Sequence, residues 1–201
     1  DSSALYWEDI GESNQGWNTL QWYRVGDLLT GGSLFGSDGV KPDDVRQGAI
    51  GNCWFLSAIA ALSEEPGRIE DIFLENDGEL SPNGIYAVNF YTLGVPHTII
   101  VDDFIPAEEW YGTYYTVFSK FGPDSSAWGP ILEKAFAKYH GNYAHIVGGD
   151  SRIAAKTLSN APYDSLYHID YTKDLLFAEL KSRDQGKELI QVNTSGTNNA
   201  Y

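Results

Sequence analysis

The cysteine at position 53 is the side chain best suited to nucleophilic chemistry, and the chain contains no other cysteine. It opens a run, residues 53–62, that is apolar on nearly all sides and predicts a buried helix beginning at or near Cys53. The N-terminus of a helix stabilises a thiolate through its unpaired N–H groups and the positive end of the helix dipole. The position of Cys53 therefore favours a reactive thiol. A lone cysteine also excludes an intramolecular disulfide and a zinc site built from several thiolates.

A glutamine precedes this cysteine by six residues, with glycines at positions 48 and 51 between them. Those glycines let the backbone turn sharply and let a substrate chain approach closely. The amide of Gln47 can donate to the oxyanion that forms when a thiolate attacks a carbonyl, beside the backbone N–H of Cys53. Loss of such a donor typically costs ~100 to 1000-fold in rate. The alternative is that Cys53 is a small buried core residue, as free cysteines often are, and Gln47 an ordinary loop residue.

Several secondary-structure elements are predicted around this pair. Residues 85–91 and 95–101 are rich in β-branched and aromatic side chains and flank a short connection, which predicts a hairpin. Ser125 or Ser126 is a candidate N-cap for a second helix, with Pro130 in its first turn and Gly141 at its end. Later segments predict a helix over residues 174–183 and a strand over residues 188–193. These elements predict an α+β fold.

Composition excludes two classes of partner. The 201 residues include 13 basic and 28 acidic side chains, a formal net charge of −15 that repels phosphate backbones and anionic lipid surfaces. No run approaches the ~20 apolar residues of a transmembrane helix, and no signal peptide opens the chain. We therefore expect neither nucleic acid nor a membrane span, and the cytoplasm is the default compartment. Because the chain starts at Asp1 and has no methionine, we expect a processed chain or a fragment.

Residues 47–56, with the sequence QGAIGNCWFL, closely resemble the active-site segment of calpains. The resemblance continues in residues 99–103, which match the family's strand ending in paired aspartates, and in residues 128–138, which match its tryptophan-led helix. It is strong from about residue 22 to residue 149 and looser beyond. One departure is Asn52, where many calpains have aspartate. The resemblance implies a papain-like fold, in which a helical lobe carrying Cys53 and a small hairpin faces the opening of a β-rich second lobe.

The same resemblance implies a cysteine endopeptidase that hydrolyses protein or peptide substrates, with Cys53 as nucleophile and Gln47 as oxyanion donor. Residues 1–147 correspond to the first protease subdomain and residues 148–201 to the start of the second. The histidine and asparagine that complete the machinery lie, in the family, in Gly-His and Asn-Pro-Trp segments after the strand that residues 188–193 resemble. The chain reaches Tyr201 before either segment, so we expect both residues on a downstream segment or a second chain. Its own histidines lack the family's surroundings: they are His97, His140, His145 and His168.

A non-catalytic calpain-like module, acting as a structural or binding part of a larger assembly, is the alternative function. The family also uses calcium, which prefers carboxylate and carbonyl oxygens. The positions that match calcium ligands in this half of the protease core are Asp44, Ser37 and Gly39. The acidic ligand expected two residues before Trp128 is replaced by Ser126, and Asp124 is an alternative carboxylate at a different offset. Calcium is therefore a candidate cofactor.

Overall fold

Two small antiparallel sheets form the framework of the first of two units in the computed structural model, which describes residues 20–192. This first unit extends to Tyr163. The strands are β1 (Gln21–Arg24), β2 (Phe73–Leu74), β3 (Ile85–Thr92), β4 (Val95–Asp102), β5 (Phe104–Trp110) and β6 (Thr113–Thr116). One sheet has the order β1-β5-β6 and the other the order β2-β3-β4. The combination of helices and sheets confirms the predicted mixed class.

The helices of this unit are α1 (Val25–Leu28), α2 (Cys53–Leu62), α3 (Trp128–Tyr139) and α4 (Ser151–Ser159), with short 3₁₀ turns at Pro42–Asp44, Glu70–Ile72 and Tyr143–Ile146. The predicted helix at Cys53 is confirmed with its predicted bounds. Phe55 of α2 stacks on Phe136 of α3 with ring centroids 4.1 Å apart, and Phe90 of β3 meets the same ring edge-on. Complete burial of a phenylalanine side chain contributes roughly 1.5–3 kcal/mol. This aromatic cluster joins α2, α3 and the second sheet.

The predicted hairpin is confirmed as β3 and β4, which pair antiparallel in register from Ile85 opposite Asp102 to Thr92 opposite Val95. The connection consists of Leu93 and Gly94, with φ angles of +51° and +87°. Two successive residues with positive φ are what a type I′ hairpin turn requires, because its twist matches that of the strands. Glycine adopts this conformation readily, whereas leucine does so rarely.

The start of α3 differs from the prediction, since neither Ser125 nor Ser126 caps it. Ala127 is the N-cap residue, and no side chain caps the helix. The N–H groups of Ala127 and Trp128 instead donate to the carbonyl oxygen of Leu34, at 3.1 and 2.9 Å. A neighbouring stretch of backbone thus supplies the acceptors that a serine hydroxyl was expected to provide. Local sequence does not reveal such a tertiary acceptor.

The paired aspartates at the end of β4, Asp102 as its last residue and Asp103 after it, form two different ion pairs. Asp103 is buried and bonds the guanidinium of Arg24, while the exposed Asp102 bonds the ammonium of Lys134 on α3. Burial opposes ionisation of Asp102, but hydrogen bonds from Lys134 and the backbone N–H of Phe104 leave its pKa below the ordinary value. The two aspartates therefore tie β1 and α3 to the junction between the sheets.

The second unit begins at Asp164 and contains a 3₁₀ turn at His168–Asp170 followed by α5 (Lys173–Gln185). The hydroxyl of Thr172 caps α5 by accepting from the N–H of Leu175 at 3.3 Å. This confirms the predicted helix over residues 174–183. The predicted strand over residues 188–193 is wrong for residues 188–192, because residues 164–192 contain no strand with which it could pair, and Asn193 lies outside the described residues. Within residues 20–192, no helix has both the length and the apolar character needed to cross a bilayer.

The residues just after the predicted subdomain boundary belong spatially to the first unit. Helix α4 packs against α2 and β3, and its N-cap Asp150 accepts a hydrogen bond from the N–H of Arg152 at 2.9 Å. Asn160 ends the helix in the left-handed conformation, with φ of +56°. The division of function between residues 1–147 and 148–201 stays a prediction.

Candidate active site

Cys53 is the first residue of α2, and its side chain is exposed. The residue before it, Asn52, starts the helix by accepting at its carbonyl oxygen from the N–H groups of Phe55 and Leu56, at 2.9 and 3.1 Å. Since the first N–H groups of a helix have no acceptor within it, the N–H of Cys53 lies among the helix's unpaired donors. The thiol is thus exposed at the N-terminal end of a helix whose apolar side chains are mostly buried, and its role as a nucleophile stays a prediction.

Gln47 lies on the loop that leads to Cys53, and its side chain is anchored. Its Nε2 atom donates to the carbonyl oxygen of Ile50 at 2.8 Å. A primary amide carries two N–H bonds, so this contact uses one and leaves the other for a second acceptor. The Ile50 contact holds the amide within the loop that ends at Cys53. The role of Gln47 as an oxyanion donor stays a prediction.

The Gln47 loop lies against the segment after β6. The N–H of Ala49 donates to the carbonyl oxygen of Val117 at 2.9 Å, and the N–H of Lys120 donates to that of Arg46 at 2.8 Å. At Gly48 the two backbones are so close that a Cβ atom would overlap the carbonyl oxygen of Phe118. This close approach requires glycine at position 48. From the sequence alone, this glycine was explained only by a sharp backbone turn and by access for a substrate.

Residues 146–149 pack against Gly51 and Trp54, which lie on either side of Cys53 in the sequence. The indole Nε1 of Trp54 donates to the carbonyl oxygen of Ile146 at 2.9 Å, and the N–H of Gly148 donates to that of Gly51 at 2.8 Å. Gly149 packs directly on the Trp54 ring, where a Cβ atom would overlap the indole. The Gly148-Gly149 pair therefore lies against the loop and helix that present Cys53.

A buried carboxyl group lies behind the start of α2, and sequence analysis missed it. Glu133 of α3 is 1% exposed, and its Oε1 accepts from Nδ2 of Asn52 at 2.7 Å. Its Oε2 accepts from the backbone N–H and the hydroxyl of Ser119, at 3.0 and 2.9 Å. Burial raises the pKa of Glu133, while these three hydrogen bonds and the charge of Lys120 oppose that rise. The only sign of this buried carboxyl group in the sequence was a glutamate next to the apolar stripe of α3.

Of the predicted calcium ligands, Asp44 lies in a cluster of oxygen atoms. Asp44 is 2% exposed, and its Oδ2 accepts from the indole Nε1 of Trp128 at 3.0 Å and from the N–H of Lys41 at 2.9 Å. Burial raises the pKa of Asp44, the nearby Asp124 raises it further, and the Trp128 and Lys41 hydrogen bonds oppose the rise. A buried carboxyl group whose ionisation is opposed by a second carboxyl group nearby is a site that a cation would stabilise.

Three further buried oxygen atoms in this cluster have no hydrogen-bond partner among residues 20–192, namely both carboxylate oxygens of Asp124 and the hydroxyl of Ser126. They converge with Asp44 on one point, because a Cβ atom built on Gly122 would lie 2.8 Å from Asp44 Oδ1 and 3.0 Å from Asp124 Oδ1, and would overlap Ser126 Oγ. Gly36 packs against the Asp124 carboxylate, which places the Ser37 loop beside the cluster. In the described part of the chain, no group of three or more His, Cys, Asp or Glu side chains suits a metal ion. The cluster has two carboxylates and one hydroxyl.

The four histidines are dispersed over the described residues. His97 lies on β4, His145 in the 3₁₀ turn before Val147, and His168 in the second unit. His140 ends α3 and packs edge-on against Trp54, with ring centroids 6.1 Å apart. Its Nε2 is buried without a hydrogen-bond partner in residues 20–192. None of these positions changes the expectation that the catalytic histidine lies elsewhere.

The chain is similar in sequence to one family of known proteins and to individual members of it. The sequence profile described as "Calpain family cysteine protease" matches residues 1–200. Calpain-5 of Caenorhabditis elegans is 32% identical over 184 residues, which are 85% of this chain and 28% of that protein. The calpain-type cysteine protease DEK1 of Zea mays is 37% identical over 134 residues, which are 64% of this chain and 6% of that protein.

Calpain-5 of Mus musculus is 28% identical over 186 residues, covering 89% of the chain and 28% of the mouse protein. The chain thus spans less than a third of the length of these relatives. The profile match nevertheless extends over nearly all of the chain and includes Cys53 and Gln47. The chain belongs to the calpain family of cysteine proteases.

Proposed function

We propose that this chain carries the nucleophile half of a cysteine endopeptidase that hydrolyses peptide bonds in protein or peptide substrates. The observation that carries the proposal is the exposed thiol of Cys53 at the first position of a helix whose larger apolar side chains are buried. The proposed lobe arrangement is papain-like, with residues 1–147 as the first subdomain and residues 148–201 opening the second.

The proposed reaction has two steps. The Cys53 thiolate attacks the carbonyl carbon of the substrate, and the oxyanion accepts hydrogen bonds from the Cys53 N–H and the amide of Gln47. The C–N bond breaks as the amine takes a proton from the catalytic histidine, which leaves an acyl-thioenzyme that water then hydrolyses. We place that histidine and its orienting asparagine on the remainder of the protease core, either farther along the chain or on a second chain.

We also propose that the Asp44 cluster binds calcium. The buried oxygens of Asp124 and Ser126 without partners fit a hard cation, since calcium is held by carboxylate, hydroxyl and carbonyl oxygens. Asp44 and Asp124 would supply the charge, Ser126 a neutral oxygen, and the loop with Ser37 and Gly39 its carbonyl groups. Bound calcium would supply positive charge that offsets the repulsion between the two buried carboxylates.

Labelling of Cys53 tests the nucleophile. A peptidyl electrophile should alkylate the protein at neutral pH faster than it alkylates a cysteine-containing model peptide, and the Cys53→Ala variant should not be labelled. Labelling in the presence and absence of calcium tests activation separately. A rate equal to that of the model peptide under both conditions would reject the primed nucleophile.

A non-catalytic calpain-like module is the second candidate. The observation that favours it is the hydrogen bond of Gln47 to Ile50, which occupies one of the two N–H bonds of the proposed oxyanion donor. This candidate predicts that Gln47→Ala leaves peptide binding unchanged and that labelling of Cys53 stays at the model-peptide rate. The proposed peptidase predicts instead that peptide-directed labelling exceeds that rate.

A further inference from the structure

The side chain of Asn52 does not act as the ordinary cap of α2, although asparagine is among the residues preferred at this position. A capping asparagine accepts hydrogen bonds from the first N–H groups of its helix. Asn52 is fully buried, makes no side-chain cap and directs its amide across the core to Glu133, at 2.7 Å. Its Oδ1 atom has no hydrogen-bond donor in residues 20–192. The side chain of Asn52, next to the proposed nucleophile, therefore bonds a buried residue on α3 and not its own helix.

The partner is held firmly from its other side. Oε2 of Glu133 accepts two hydrogen bonds from Ser119, one from its N–H and one from its hydroxyl. Three donors around one carboxylate match the acceptor-only character of its ionised form. The other titratable groups that face it are Lys120, whose charge favours ionisation, and the buried Tyr143. The Glu133 carboxylate is thus a fixed point against which Asn52 is oriented.

We propose that Glu133 is a positioning residue, which through Asn52 fixes the first turn of α2 and hence the orientation in which Cys53 presents its thiol. This inference rests on the proposed role of Cys53 as nucleophile. It assigns to Asn52 the role of a neutral amide partner for a buried carboxylate. It predicts that aspartate at position 52 creates a carboxyl pair in this chain. Such a pair must hold one proton to keep the contact, because two carboxylates at hydrogen-bond distance repel strongly.

The experiment measures the rate of Cys53 alkylation by iodoacetamide as a function of pH, in folded protein and relative to wild type. The Glu133→Ala variant should react roughly twofold to fivefold more slowly, the range expected when a charge loses its alignment with a helix N-terminus. The Asn52→Asp variant should match wild type at acidic pH, while the pair keeps its proton, and should fall behind as pH rises. The double variant N52D/E133Q should restore the wild-type ratio, since the introduced glutamine amide can donate to the introduced aspartate and still accept from Ser119.

A matched control separates positioning from general destabilisation. Ser63 is at the opposite end of α2, where its hydroxyl donates to the carbonyl oxygen of Ala60 at 2.7 Å. The Ser63→Ala variant should lower the melting temperature, but its Cys53 should be alkylated at the wild-type rate, so that the alkylation ratio of variant to wild type stays at one. A comparable fall in that ratio for S63A would show that Glu133 acts only through stability and would overturn the proposal.

Two other results would also overturn it: a ratio near one for E133A throughout the pH range, or no rescue by the double variant. Wild-type alkylation at the rate of a model peptide would instead reject the primed nucleophile. The positioning role would still be decided by the variant ratios, because these require only that the Cys53 thiol is accessible. The failure of each idea is therefore recognised by a different measurement.

Discussion

The indole of Trp128 donates a hydrogen bond to Oδ2 of Asp44 at 3.0 Å, joining residues that are 84 positions apart in the chain. Trp128 is the first residue of α3, and Asp44 lies three residues before Gln47. The contact therefore connects the proposed cation cluster to α3, while Asp44 itself leads along the chain to the loop before the nucleophile. A change at the cluster can therefore reach α3 through this hydrogen bond and the Cys53 loop through the short chain segment after Asp44.

Replacing Asp124 by asparagine should abolish calcium stabilisation. Wild-type protein should gain about 2.7 kcal/mol in unfolding free energy at a calcium concentration 100-fold above the dissociation constant. The D124N variant should gain little, because it loses one of two buried carboxylates, and its stability without calcium should equal or exceed that of wild type. Thermal unfolding with calcium and with a chelator measures both effects.

The control for this prediction is Asp71→Asn, which removes one exposed carboxylate from a 3₁₀ turn. It should respond to calcium as wild type does. An equal calcium response in wild type, D71N and D124N would place any bound cation outside the Asp44 cluster. A complete absence of response in wild type would exclude calcium from the described residues.

Replacing His140 by phenylalanine should make the protein less sensitive to mild acid. Burial, with a smaller effect of His145, lowers the pKa of His140 below its ordinary value of 6.5. The unfolded chain therefore binds this proton more tightly, so the contribution of neutral His140 is present above pH 6.5 and is lost as the pH falls toward the folded-state pKa. Phenylalanine keeps the ring contacts with Trp54 and Phe136 but cannot titrate.

Melting temperatures at neutral and mildly acidic pH would test this. The decrease between the two pH values should be smaller for H140F than for wild type. The variant His97→Asn, at an exposed position on β4, is the control and should keep the wild-type decrease. If H140F and wild type lose stability equally, another group dominates acid sensitivity.

Adding one methyl group at Gly48 should be costly. A Cβ atom there would overlap the carbonyl oxygen of Phe118, so one of two paired backbone segments must shift. Overpacking of this kind typically costs about 1–3 kcal/mol. Urea unfolding of Gly48→Ala should show that loss, together with slower alkylation of Cys53. The matched control Gly26→Ala has no atom within 4 Å of the added Cβ, and should not destabilise the protein.

Replacing Leu93 by asparagine should stabilise the hairpin. Leu93 is 94% exposed and has φ of +51°, so its side chain gains little from burial and its backbone conformation is unfavourable for leucine. Asparagine before Gly94 suits the turn and should raise the unfolding free energy by about 0.5–1 kcal/mol. The Leu93→Ala variant removes the same apolar side chain without the turn preference, and a gain equal to that of L93N would contradict the explanation.

Elements defined by local patterns were predictable from the sequence. The helix at Cys53 follows from an apolar run after glycines, and the β3–β4 hairpin follows from two β-rich runs around a short connection. The end of the chain was less predictable, because a strand requires a neighbour with which to exchange hydrogen bonds. Residues 188–192 have strand-forming composition and no such neighbour within residues 164–192.

The interior of the candidate site was the least predictable part. A glutamate within a helix is usually exposed, and Glu133 is buried only because Asn52 and Ser119, 81 and 14 residues away in sequence, supply its donors. The convergence of Asp124 and Ser126 on Asp44 likewise depends on tertiary contacts, although the sequence indicated the two aspartates as candidates. Residue types and spacing thus identified the groups, while their pairing required three-dimensional structure.

The contacts of Trp54 determine which part of the chain can move with the nucleophile. Its indole N–H donates a hydrogen bond to the carbonyl oxygen of Ile146, and Gly149 packs against its ring. Residues 146–149 are therefore coupled to the first turn of α2. Helix α4 extends this coupling through its packing on α2. A motion that reorients Cys53 should therefore carry residues 146–159 with it, and Asn160, where α4 ends in the left-handed conformation, is the last residue of this coupled segment.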